Sequence, residues 1–184
     1  MLVEMFIESL MIDLLSKQPV VFLRECEGNR YLRIWIDPFN YYMIDSGMRK
    51  KPFIRPLTHD LMKSVLDQLD VTVKSVAITK LEMDTFYANI ILSRGEGKTW
   101  VIDSRPSDAL ALAIRTSGPI YVEASILEQV GVVDSPKSTG ATKGATGRAI
   151  EPRGVEDQAL SEDTQKFIDF IDRVSPSDFD YNED

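Results

Sequence analysis

Residues 71–92, VTVKSVAITKLEMDTFYANIIL, decide the fold. Two runs rich in Val, Ile, Phe and Tyr, Val71–Leu81 and Thr85–Leu92, flank a turn at Met83-Asp84. β-branched and aromatic residues suit a pleated, half-buried surface, so the stretch predicts two antiparallel strands joined tightly. The same pattern extends in both directions. Upstream, Leu32, Ile34 and Ile36 alternate with Arg33 and Trp35 in a strand over Arg30–Ile36, and Glu27-Gly28-Asn29 supplies the turn from Pro19–Leu23. Val3–Asp13 reads as the first strand. Downstream, Arg94–Lys98 forms a second hairpin loop into Thr99–Ile102, and Ile120–Val122 is a last short strand.

Helices punctuate this sheet. Thr58–Leu69 carries Leu61, Met62, Val65, Leu66 and Leu69 in a helical stripe behind Thr58, read as its N-cap. A second main helix runs from Ser107 to Thr116 and stops at Ser117-Gly118-Pro119. Pro38 opens a short helix through Ile44, and Ala124–Val130 forms another. Strands that follow one another through tight turns argue for a compact α+β domain over residues 1–133, with a largely antiparallel sheet and two main helices. Residues 134–158, rich in Gly, Ser, Thr, Ala and Pro, read as a flexible linker. Residues 159–184 contain an amphipathic stretch, Glu162–Val174, followed by an acidic end. An isolated helix of this length is marginal in water, so it docks on the domain, docks on a partner, or stays loose.

Composition narrows the functions. The chain has 21 Lys and Arg against 29 Asp and Glu, a net charge of -8. Residues 1–133 hold 15 against 17 and residues 134–184 hold 6 against 12, so the domain is nearly neutral and the tail acidic. Such a domain lacks the broad basic footprint of a tight nucleic-acid binder, though a few Arg residues suffice for a local anion site. No apolar run is long enough to span a membrane, the N-terminal segment is too acidic for a signal peptide, and the expected setting is the cytoplasm. One Cys and one His exclude an intramolecular disulfide, a multi-cysteine zinc site, His-rich zinc chemistry and a two-histidine ribonuclease mechanism.

Two segments remain as candidate chemistry: Arg55-Pro56-Leu57-Thr58-His59-Asp60 and Asp103-Ser104-Arg105-Pro106-Ser107-Asp108. Each sets Arg-Pro before a hydroxyl residue and an acidic residue at a helix start. Helix N-termini present unbonded N–H groups and favour anions, and a preceding Arg adds a bidentate donor. Arg55, Thr58, Arg105 and Ser107 are thus candidate phosphate-binding residues. Asp103 and Asp108 are candidate ligands for Mg²⁺ or Mn²⁺, with Asp60 or His59 assisting an attacking water. The alternative is structural: Asp60 and Asp108 answer the helix dipole and pair with arginines, and His59 is a hydrogen-bonded structural residue.

RPLTHDLM at 55–62, the hairpin at 71–92 and VIDSRPSDALALAIRTSGPIYV at 101–122 together resemble the bacterial bifunctional nuclease family over residues 1–131. The resemblance implies an α+β domain, usually dimeric, with DNase and RNase activity in some members, hence a nucleic acid substrate and a homodimer. A dimer face is expected around Tyr41, Tyr42, Met43 and Phe53. Where the family pattern carries Gly and then Glu-Ala, this chain has Asp37 and Asn40-Tyr41. If that glutamate binds metal, the chain has lost it unless Asp37 substitutes. The second reading is a non-catalytic dimeric module that binds an anionic ligand or partner.

Overall fold

The hairpin at the centre of the sequence becomes strands β4 (Thr72–Glu82) and β5 (Thr85–Arg94), paired from Thr72↔Ser93 to Glu82↔Thr85. Its two-residue turn places Met83 at φ 45° and Asp84 at φ 59°, the left-handed pair that matches the twist of the flanking strands. The structure, a computed structural model, describes residues 1–133 apart from residues 14, 15, 52 and 96. The expected linker and tail lie outside the described residues.

The remaining strands are β1 (Leu2–Ile12), β2 (Pro19–Glu25), β3 (Arg30–Trp35), β6 (Lys98–Ser104), β7 (Ile120–Glu123) and β8 (Val132–Val133). They form one eight-stranded sheet in the order β6-β5-β4-β7-β1-β2-β3-β8. All neighbours are antiparallel except β4 and β7, where Val76, Ala77 and Ile78 face Ile120, Tyr121 and Val122 in parallel. The helices are α1 (Pro38–Met48), α2 (Thr58–Gln68), α3 (Pro106–Thr116) and α4 (Ala124–Val130). The protein is therefore an α+β domain with a mostly antiparallel sheet, as the strand pattern implies. Among the described residues no helix is long and apolar enough to cross a membrane.

Helix α3 is the centre of the packing. Ala109 to Ala113 are wholly buried, and the helix lies against α1, α2, β4 and β5. Three alanines and two leucines let neighbouring elements approach closely without gaps. Ser117 ends the helix in the left-handed conformation at φ 54°, which fulfils the expected stop.

Three corrections concern the helices. There are three helices of 11 residues, because α1 continues past Ile44 to Met48. Gly47 is what permits this. A Cβ there would stand 2.8 Å from Nη1 of Arg115, so glycine opens the passage for that side chain of α3. Second, Tyr41, Tyr42 and Met43 are core residues, and Phe53 meets Tyr42 edge-on at 6.1 Å between centroids. One chain buries Tyr41, Tyr42 and Met43, so these three form no open apolar face, and Phe53 is half-buried. Third, the N-cap positions belong to Leu57 and Arg105, one and two residues ahead of Thr58 and Ser107. Proline at the first helical position fixes the earlier start of α3. Cys26, read as a strand residue, lies just past β2 and is exposed.

The hairpin between β2 and β3 is closed by an ion pair. Glu25, buried, accepts from Arg30 Nε at 2.8 Å, Arg30 Nη2 at 2.5 Å and the Arg30 backbone N–H at 3.1 Å. Hydrogen bonding by Arg30 outweighs burial and holds the Glu25 carboxyl below its ordinary value.

Candidate active site at the start of α3

The two motifs begin two adjacent helices, and the structure stitches them together reciprocally. In α2 the first four positions, from the N-cap, are Leu57, Thr58, His59 and Asp60; in α3 they are Arg105, Pro106, Ser107 and Asp108. His59 Nε2 lies 3.3 Å from Asp108 Oδ1. Asp60 Oδ1 accepts from Arg115 Nε, near the other end of α3, at 2.5 Å. Each helix thus supplies one acid and one nitrogen partner to the other.

Both carboxylates are filled. Asp60 Oδ2 accepts the Leu57 backbone N–H at 3.0 Å, which satisfies one of the orphan donors at the start of α2. Asp108 also accepts Arg105 Nε at 2.8 Å and Nη2 at 3.2 Å, a bidentate grip across the first turn. That bonding, with the nearby charge of Asp108, raises the Arg105 pKa, and the charge of Asp37 adds to it. Arg115 is almost wholly buried, and its guanidinium further donates to Met43 O at 2.9 Å, Ala111 O at 3.0 Å and Ser46 Oγ at 3.2 Å. It joins α1, α2 and α3 at one point.

His59 is 3% exposed. A carboxylate partner calls for an N–H on Nε2, which leaves the lone pair on Nδ1, and that atom is buried without a protein partner. Burial, then the positive charge of Arg115, pushes the imidazole pKa down, against opposing contributions from Asp108 and Asp60. A general base must reach its water; in this arrangement His59 shows no ring nitrogen to solvent.

A cleft of about 430 Å³ opens beside α3. Arg105, Pro106 and Ser107 form one wall, Trp35, Ile36 and Asp37 another, and Asp84, Thr85 and Phe86 of the β4–β5 turn a third. Of the phosphate candidates, Arg105 and Ser107 line it. Arg55 and Thr58 are exposed at and just before the start of α2 and do not line it. Asp103 is exposed on β6, opposite Asn89 of β5. Among the described residues no three of His, Cys, Asp and Glu stand close enough to share a metal ion. With Asp108 held by Arg105 and His59, and Asp60 by Arg115, the donors present fit a divalent ion poorly.

The substituted segment has a structural logic of its own. Asp37 is the N-cap of α1: its Oδ1 accepts the Asn40 backbone N–H at 3.0 Å and its Oδ2 accepts Asn40 Nδ2 at 2.5 Å. Asn40 is buried, with its Oδ1 lacking a protein partner. Asp37 and Asn40 therefore serve each other as a helix start, at the rim of the cleft. Asp84, Trp35 and Arg115 were not singled out as site residues. The sequence offers Arg115 with Arg105 as structural partners of Asp103 and Asp108, and the structure gives Arg115 to Asp60 instead; Asp84 lies in a turn whose position next to α3 is purely tertiary.

A family model described as the bifunctional nuclease domain matches residues 21–135. An uncharacterized protein of Mycobacterium tuberculosis is 37% identical over 164 residues, covering 89% of this chain and 90% of that protein. Bifunctional nuclease 2 of Oryza sativa subsp. japonica is 29% identical over 120 residues, covering 64% of this chain and 37% of the plant protein. Bifunctional nuclease 2 of Arabidopsis thaliana is 28% identical over 109 residues, or 57% and 33% of the two chains. Fold and site define an α+β domain with paired, acid-bearing helix starts beside a cleft. The chain belongs to the bifunctional nuclease domain family.

Proposed function

We propose that this protein is a nuclease that hydrolyses phosphodiester bonds of DNA and RNA in the cleft at the start of α3. The observation that carries the reading is Arg105 and Ser107 at a helix N-terminus in one wall of a cleft whose other walls bring Asp37 and Asp84. Arg105 binds the phosphate and offsets charge that builds on its oxygens, aided by the N–H groups of the first turn. Asp84, exposed on its turn, takes the proton of a water that attacks phosphorus, the P–O bond to the leaving sugar oxygen breaks, and that oxygen takes a proton from solvent. Membership of the family and the plant relatives named as bifunctional nucleases support this. A metal held by Asp103 and Asp108 would have to displace Arg105 from Asp108, so no step here runs through one.

A second reading is supported by the filled carboxylates. Asp60 and Asp108 are engaged as braces, which suits a dimeric module that binds anions without cleaving them. The two part in one assay. Purified protein is incubated with labelled DNA and RNA oligonucleotides in Mg²⁺, Mn²⁺ or EDTA. Cleavage that falls at least about tenfold in Arg105→Ala, as for loss of a transition-state charge partner, is expected. Wild-type protein that binds the oligonucleotides and leaves them intact under all three conditions leaves the binding module standing.

A further inference from the structure

Strand β3 sends its side chains in two opposite directions. Leu32 and Ile34 are buried, whereas Arg33 and Trp35 are exposed and Tyr31 is half-buried. Beside them on β2, Phe22 stands opposite Arg33 and Arg24 opposite Tyr31. Aromatic and cationic side chains thus alternate along one strip. The Arg33 guanidinium lies over the Trp35 ring, 5.7 Å from its centre, and that of Arg24 lies over Tyr31 at 5.2 Å. Glu8 answers the charge of Arg24 at 2.9 Å, but among the described residues no carboxylate pairs with Arg33.

Trp35 is 46% exposed, so the core forgoes much of what burying so large a ring contributes. A cation over an exposed ring is modest compensation. The place of the ring is more telling. Trp35 is a wall of the cleft in which Arg105 and Ser107 form another. A flat apolar ring therefore stands beside the helix start that receives a phosphate, and a guanidinium without a carboxylate stands two residues along the same strand. A nucleotide strand has that composition, planar bases between phosphates. In a duplex both faces of each base are covered by stacked neighbours, so an indole finds a free face only on an unpaired base.

We propose that Trp35 is the stacking platform for one unpaired base of a single-stranded DNA or RNA segment whose neighbouring phosphates are held by Arg105 and Arg33. The platform rests on the reading of the cleft as a phosphate site. It makes that site selective for single strands over duplexes and tolerant of sequence, because every base offers a π-face.

The full chain is titrated with short oligothymidylate and oligouridylate strands in EDTA at low temperature. Trp35 and Trp100 are the two tryptophans, so Trp100→Phe leaves Trp35 as the sole indole. Its emission is expected to be quenched by either strand and not by the matching duplex. Followed by anisotropy of a labelled strand, Trp35→Ala should bind at least about fivefold more weakly, the lower bound for one stacked base, and Trp35→Phe should recover most of the loss. A strand of equal length with every base removed keeps the phosphates; the penalty it imposes on wild type should shrink by the same factor in Trp35→Ala. Equal binding by wild type and Trp35→Ala, an equal penalty for base removal in both, or a duplex bound as tightly as its single strands would overturn the platform. Trp35-dependent binding that leaves the strand intact in every metal condition sinks the nuclease and keeps the platform. Cleavage by Trp35→Ala with wild-type kcat and KM sinks the platform alone.

Discussion

His59 Nε2 and Asp108 Oδ1, 49 positions apart in sequence and 3.3 Å apart in space, join the second residue of α2 to the third of α3. Burial, then the charge of Arg115, disfavours protonation of this imidazole against the pull of Asp108, and stability must therefore depend on pH.

The sign follows from the lowered His59 pKa. Above the ordinary value of 6.5, neither the folded nor the unfolded chain protonates the ring, and this group costs nothing. As pH falls below 6.5 the unfolded chain takes up a proton that the folded chain refuses, so stability declines until pH passes the lowered folded value. The decline from one group is at most about 1.4 kcal/mol per pH unit. His59 is the sole histidine, so urea midpoints from pH 8 to pH 5 isolate it. His59→Gln is expected to flatten that part of the curve; an unchanged slope would mean the ring protonates freely in the fold.

Arg115→Met should cost about 2 kcal/mol in urea unfolding. Removing one member of a buried pair costs about 3–5 kcal/mol, and Asp60, a third exposed, recovers part of that from water. The change also leaves Ser46 Oγ and the Met43 carbonyl without this donor. A loss below about 0.5 kcal/mol, the range of ordinary surface substitutions, would show that the three-helix junction holds without it.

Asp103→Asn and Asp108→Asn separate metal ligation from bracing. The geometry gives Asp108→Asn a stability cost of about 1–3 kcal/mol, for charge-assisted bonds to Arg105 and His59. Asp103→Asn, on an exposed edge position, should cost less than about 0.5 kcal/mol. Should both variants keep full stability and lose Mg²⁺- or Mn²⁺-dependent cleavage, the two carboxylates bind the metal in a rearranged site.

Gly28→Ala probes the β2–β3 hairpin. A Cβ at residue 28 would stand 2.2 Å from Glu25 Oε2, so the carboxylate must leave Arg30. The expected cost is about 1–3 kcal/mol, read as a lower thermal midpoint. A midpoint within about 1 °C of wild type would show that the turn relaxes instead.

The alternation in Arg30–Trp35 and the Val- and Ile-rich runs around Met83-Asp84 made the sheet readable, and strand ends fall within two residues of their expected places. Periodicity reports local geometry, and there it served well. It could not tell that the stripe of α2 points largely away from the core, because an amphipathic pattern marks a face without naming what covers it. Nor could it see that α1 runs past Gly47, since only the passage of Arg115 explains a glycine there. In the site, Arg105 and Ser107 were legible from their place at a helix start. Asp84 and Asp37 were not legible as cleft residues, because the cleft joins a strand end, a turn and a helix that are distant in sequence.

The reciprocal bonds between α2 and α3 bear on how such a chain can be recombined. A chimera with its crossover anywhere between Asp60 and Asp108 would take His59 and Asp60 from one parent and Asp108 and Arg115 from the other. Parents that differ at any of the four would yield a mismatched junction even if each is well folded. The two helix starts form one heritable unit interrupted by three strands, and because β4 and β5 pack on α3 those strands belong to the same unit.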